Sequence, residues 1–212
     1  MAEGGLTFRA ASPADVGEAV PLIYSSGPAA FDYVFDTGGT RSAQAFLRFA
    51  YLHGGGEFGW RTHRIAEDEG RRVIAAGAGF DGRAVPGFTL AGALQIFRFY
   101  GPIRAWGVIV RGLRTESIIR PPRPEEYYLC HLGVQPDLRG RGIGTALVRD
   151  LLERIDTGRH RRATLDVAAT NPRAQALYER LGFAVTALRS SALQNPRGRV
   201  ADHYRMSRGA GG

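Results

Sequence analysis

A chain of 212 residues, 44% hydrophobic and 23% charged, has the length and balance of one α/β domain with a sizeable core, which excludes a disordered or fibrous protein. Its net charge of +8 rests on arginine alone, because no lysine occurs, and the arginines run from Arg9 to Arg208 rather than in one block. That spread suits a solvated basic surface better than a nucleic-acid-binding face.

One cysteine, Cys130, excludes an intrachain disulfide framework and a multi-cysteine zinc site. With no secretory leader pattern and no apolar run of about 18 residues, the expectation is a cytoplasmic protein without a membrane contact.

Residues 6–10 alternate as a first strand. Ser12 reads as a helix N-cap with Pro13 at the first helical position, and Val16, Val20, Ile23 and Tyr24 continue at helical spacing. A second helix is expected over residues 41–51, with Ala45, Phe46, Phe49 and Ala50 on one face and Gly54-Gly55-Gly56 as its end. Residues 61–65 and 71–80 form two strands about an acidic turn at 67–70, the second strand apolar enough to be buried on both faces. Residues 88–120 read as two amphipathic helices broken at Gly101-Pro102, ahead of a proline-rich linker at 121–124.

Past the linker, residues 127–134 (YYLCHLGV) are a buried strand and residues 135–142 a loop. Ile143, Leu147, Leu151 and Ile155 step by four along a helix face. Residues 162–168 give the next strand, Asn171-Pro172 opens a helix that Gly182 ends, and residues 184–188 and 200–206 are expected to close the sheet as a pair.

Gly140, Gly142 and Gly144 remove side chains where the loop enters the helix. They leave backbone N–H groups at the positive end of a helix dipole, and Arg139 and Arg141 add formal charge. A diphosphate suits such a seat. A nucleoside-triphosphate loop would end in Gly-Lys-Ser/Thr, which a lysine-free chain cannot supply, and G-x-G-x-G does not match the dinucleotide pattern G-x-G-x-x-G. Asp166, mid-strand between Leu165 and Val167, suits a structural hydrogen bond better than a ribose contact.

The stretch Arg139 to Gly144 resembles the R/Q-x-x-G-x-G/A pyrophosphate loop of the GNAT superfamily of N-acetyltransferases. About thirty residues on, Asn171 to Phe183 is similar to that family's second cofactor motif, N-x-x-A-x-x-L-Y-x-x-x-G-F. The resemblance is carried by residues 126–184. It implies a mixed central sheet flanked by helices, one domain over residues 1–212, with residues 88–120 as a helical insertion before the cofactor-binding strand. It further implies acetyl-CoA as co-substrate, no metal, and direct transfer in a ternary complex to an amine on a small molecule or peptide.

In that reading the backbone of Leu132, Gly133 and Val134 polarises the thioester. Arg139, Gly140, Arg141, Gly142, Ile143, Gly144 and Thr145 hold the pyrophosphate, joined by Asn171, Arg173, Ala174 and Tyr178 of the second motif. Tyr178 is expected to protonate the departing thiolate. For the base, Tyr128 matches the family's position, yet tyrosine is a poor base at neutral pH. His131 has the right chemistry but falls on the opposite strand face unless a bulge near Gly133 rotates it. Cys130 is expected to be a buried, inert thiol.

The alternative is a catalytically silent CoA-binding or nucleic-acid-associated module on the same fold. The inserted segment, with Phe97 and Trp106, is expected to pack over the acceptor side of the sheet or against a second subunit of a homodimer.

Overall fold

Three alternating segments, β1 (Thr7–Ala10), β2 (His63–Glu67) and β3 (Val73–Asp81), pair antiparallel in that order in the computed structural model. It describes residues 5–196 and 198–211; residues 1–4, 197 and 212 of the expected domain lie outside the described residues. β4 (Glu126–Val134) adds antiparallel to β3, and β5 (Arg162–Ala168) adds parallel to β4. The chain then forms β6 (Ala184–Arg189), a small separate pair β7 (Gln194–Asn195) and β8 (Gly198–Arg199), and β9 (His203–Gly209). β9 inserts between β5 and β6, so the sheet runs β1-β2-β3-β4-β5-β9-β6, the mixed sheet expected.

Helices cover both faces, as the period-two alternation of the strands requires. On one side lie α1 (Val16–Ser25), α2 (Pro28–Phe35) and α3 (Ala43–His53), which bury Ile23, Phe46 and Leu47 against Ile65 and Ala76. α4 (Val85–Thr115) packs outside them, while α5 (Ile143–Leu152) and α6 (Pro172–Arg180) take the other side. There Leu147 and Leu151 meet Ala66, Ala75, Leu129 and Leu165. Each fully buried leucine, isoleucine or phenylalanine stabilises this packing by roughly 1.5–3 kcal/mol. Arg64 of β2 donates to both Asp150 oxygens of α5 at 2.9 and 2.7 Å, tying sheet to helix.

α2 is absent from the sequence reading. It has only eight residues, and its aromatic content carries no clear helical period. Pro28 at its first turn presets φ, but tertiary burial of Phe31, Tyr33, Val34 and Phe35 is what holds so short a helix.

The expected break in the inserted segment is present: Gly101 has φ 76° and ψ 165°, and Pro102 follows. Three polar contacts anchor α4. Tyr100 Oη donates to the Phe35 carbonyl, Arg111 Nε to the Val34 carbonyl at 3.0 Å, and Gln95 Nε2 to the Gly55 carbonyl at 2.9 Å. The expected contact residues Phe97 and Trp106 pack edge-on against each other across the break, centroids 5.8 Å apart, and Trp106 is 63% exposed. Neither lines the cavity described below; Phe88, Ile96 and Ile109 do so instead. No helix among the described residues is long and apolar enough to cross a membrane.

Candidate active site

β4 and β5 pair only from Glu126 to Leu129 against Arg162 to Leu165. Beyond that point the parallel strands separate, and Gly133 and Val134 keep β3 as their partner on one edge while the other edge faces a gap. A cavity of about 1340 Å³ opens there, running from the α5 N-terminus to the inner wall of α4. Gly133 lets β4 sit directly on α1, because a Cβ at this position would lie on the Leu22 carbonyl.

The loop into α5 behaves as its composition demands. Gly140 and Gly142 take φ 80° and 86°, conformations glycine adopts without a Cβ penalty. Gly142 is the N-cap and offers no side chain to the N–H groups of the first turn, so those donors face the cavity at the positive helix end. Arg139 lines this end and its Nε donates to the Val134 carbonyl at 3.1 Å. Leu132, Gly133, Val134, Gly140, Ile143, Gly144 and Thr145 line the same cavity, as do Asn171, Arg173 and Ala174. Arg141 is exposed on the loop and does not. Asn171 Oδ1 accepts from Ala174 N at 3.1 Å and caps α6. These uncapped donors, two flexible glycines and two arginines suit a pyrophosphate, and the strand gap suits an extended thiol arm.

α6 delivers Tyr178 into the cavity, 9% exposed. Burial pushes its phenol pKa above the usual tyrosine range, so it carries its proton. Among the described residues its hydroxyl has no hydrogen-bond partner, and it is free to donate to an incoming group.

His131 is where the geometry is decisive. Ala76 pairs with Gly133 and Ala78 with Cys130, so β4 carries one residue more than β3 in this interval, and His131 has φ 57°. This bulge sits at His131, two residues before Gly133. It turns the imidazole to the α1 side, beside Cys130, instead of letting it alternate away. There the ring packs against Phe31, Phe58 and His63, with centroids 5.8, 5.1 and 5.3 Å away.

The hydrogen-bond partners assign the tautomers. His63 Nδ1 lies 2.9 Å from the Gly59 carbonyl, which only accepts, so this nitrogen carries the proton. Burial, aided by the adjacent His131, lowers the His63 pKa to about 3 and leaves the ring neutral, with Nε2 an acceptor. His131 Nδ1, 3.2 Å away, therefore donates to it. In its neutral form the His131 ring then has its lone pair on Nε2, which lies 3.5 Å from Glu57 Oε1. Glu57 stands in the glycine turn between α3 and β2, where Gly54 and Gly56 each have φ 77°, the turn Gln95 of α4 also holds.

Tyr128 lines the cavity but is engaged elsewhere. Its hydroxyl donates to Asp166 Oδ2 at 2.9 Å, and burial followed by the Asp166 charge holds its pKa well above the tyrosine norm. Arg205 Nη1 donates to the same Asp166 oxygen at 2.6 Å, and its Nη2 reaches Glu126 Oε2 at 3.2 Å. Asp166 is thus a structural acceptor, as its mid-strand position suggests. Glu57, His63 and Glu116, the last on the cavity wall after α4, escaped the sequence reading. No motif surrounds them, and only a pairing between residues 63 and 131 would have brought the two histidines together.

This fold is that of solved N-acetyltransferases. An N-acetyltransferase from Staphylococcus aureus Mu50 matches with a TM-score of 0.68 over 95% of this chain and 99% of that one, at 17% identity. yncA from Salmonella typhimurium with its cofactor acetyl-CoA gives 0.56 over 97% and 94%, also at 17%. The model of the acetyltransferase (GNAT) family matches residues 42–183, and the chain belongs to that family.

Among curated proteins it is 37% identical over 112 residues to N-alpha-acetyltransferase RimI of Mycobacterium tuberculosis (strain ATCC 25618 / H37Rv), covering 53% of this chain and 66% of that protein. It is 41% identical over 63 residues to 5-NmdU N-acetyltransferase of Pseudomonas phage PaMx11, covering 30% and 43%. The chain thus spans 43% and 66% of the length of these two curated relatives.

Proposed function

We propose that this chain is an acetyl-CoA-dependent N-acetyltransferase that moves the acetyl group directly to a primary amine in a ternary complex, with His131 as general base. The observation that carries the reading is the bulged His131, its Nε2 lone pair set by the His63 relay, in the same cavity as the glycine loop of α5 and Tyr178. The amine arrives as an ammonium at the end where Glu57 and Glu116 supply negative charge. His131 Nε2 takes its proton and the free amine attacks the thioester carbon.

Backbone N–H groups of β4, over Leu132 to Val134, face the resulting oxyanion. The C–S bond breaks, and the sulfur receives the proton held on Tyr178. Arg139 and Arg173, with the first turn of α5, hold the pyrophosphate; Arg180, at the end of α6 on the cavity wall, adds positive charge for the remaining phosphate. The acceptor is an amine on a small molecule or a peptide. The similarity to a RimI named as an N-alpha-acetyltransferase supports a peptide α-amine as the first candidate.

The test is release of free thiol from acetyl-CoA against a panel of peptide α-amines and small primary amines. Turnover of one of them is expected, with His131→Gln lowering kcat by about 10²–10⁴-fold at nearly unchanged acetyl-CoA affinity. Folded protein that binds acetyl-CoA and acetylates no amine in the panel would leave the silent CoA-binding module in its place.

A further inference from the structure

We propose that Glu57, Cys130 and His131 form a zinc(II) site at the acceptor end of the cavity, and that metal bound there switches the transferase off. A carboxylate oxygen of Glu57, Cys130 Sγ and a ring nitrogen of His131 all lie within 4.8 Å of one another. Oxygen, sulfur and imidazole nitrogen together suit zinc better than magnesium or calcium, which take oxygen ligands. Tetrahedral bonds of about 2.0–2.3 Å place such atoms about 3.5 Å apart, so side-chain rotations of about an ångström close the site.

Two features of the backbone prepare this cluster. Neighbouring strand residues ordinarily point to opposite faces, and the bulge with His131 at φ 57° is what sets its imidazole beside the Cys130 thiol. The relay from the Gly59 carbonyl through His63 to His131 Nδ1 leaves Nε2 as the lone pair, which is how outer-shell partners orient a metal-binding histidine. Phe31 and Phe58 flank the ring and limit its rotation. Three protein ligands leave a fourth position open to the cavity. On binding, the Cys130 proton leaves to solvent as the sulfur–zinc bond forms. Because Nε2 then holds metal, it can take no proton from an amine. The switching half of the proposal rests on His131 as base; the binding half does not.

The probe is cobalt(II), titrated into the apo protein and then displaced by zinc. One equivalent should give a near-ultraviolet thiolate-to-cobalt band with the visible bands of a tetrahedral ion. Cys130→Ser should remove the thiolate band and weaken zinc binding, measured by competition with a chromophoric chelator, at least about 10-fold. Cys130 has no part in the proposed transfer, so this variant should keep its turnover while the zinc concentration for half-inhibition rises by a similar factor. A thiolate band without turnover of any amine would sustain the site and remove only the switch. A cobalt titration with no thiolate band, or equal zinc affinity in wild type and Cys130→Ser, would overturn the site.

Discussion

Tyr178 packs edge-on to Phe183, centroids 6.1 Å apart, and its hydroxyl is the part left available. Tyr178→Phe removes that oxygen and little else. Turnover should fall about 10²-fold or more with acetyl-CoA affinity nearly intact, measured by thiol release and calorimetry on an acceptor whose chemical step limits the rate. Unchanged turnover would take the acid role away from Tyr178. Burial has the opposite consequence at His63, where the fold lowers the pKa from 6.5 to about 3. Between those values the unfolded chain binds a proton that the folded one refuses. This contribution to stability is therefore present above pH 6.5 and lost as pH falls toward 3, by up to about 1.4 kcal/mol per pH unit. His203, also lowered by burial, acts in the same direction. The urea midpoint should drop from pH 7 to pH 5, and less steeply in His63→Gln; equal midpoints at both pH values would contradict the neutral, buried assignment.

Among the elements, the strands of the large sheet and the longer helices were legible, and β4, α5 and α6 carried motifs as well. Leu147 and Leu151 step along one face of α5, and the glycines of its loop can be placed from residue type because φ near 80° is cheap for glycine. The bulge was legible only as a condition on His131, a bulge near Gly133, and it falls two residues before that glycine. Nothing local announces it, since it arises from register against β3. α2 escaped for a related reason: its burial depends on α3 and α4, not on its own periodicity. Gly142→Glu tests the loop directly. A carboxylate at the uncapped N-terminus of α5 would put like charge on the phosphate seat and a side chain at φ 86°, so acetyl-CoA binding should be lost by calorimetry. Undiminished affinity in folded protein would remove the loop from the phosphate site.

Across the whole molecule α4 acts as a wall. Its inner side joins the sheet through an aromatic series, Phe88 on Phe80 at 5.0 Å and Phe80 on Tyr128 at 5.5 Å, and its outer side leaves Ile103 and Trp106 in solvent. Phe88→Ala should thus raise the acceptor KM severalfold while acetyl-CoA affinity stays within a factor of a few; the reverse pattern would assign the wall to the thioester end. The arginine-only basic surface has a chemical consequence of its own. Thioesters acylate lysine amines without any enzyme, and a guanidinium does not react in this way. With no side-chain amine in 212 residues, the proposed transferase offers no lysine of its own as a competing acceptor for the activated acetyl group. Incubated with acetyl-CoA, its side chains should gain no amide-linked acetyl mass, and any acetyl carried on Cys130 should be released by hydroxylamine.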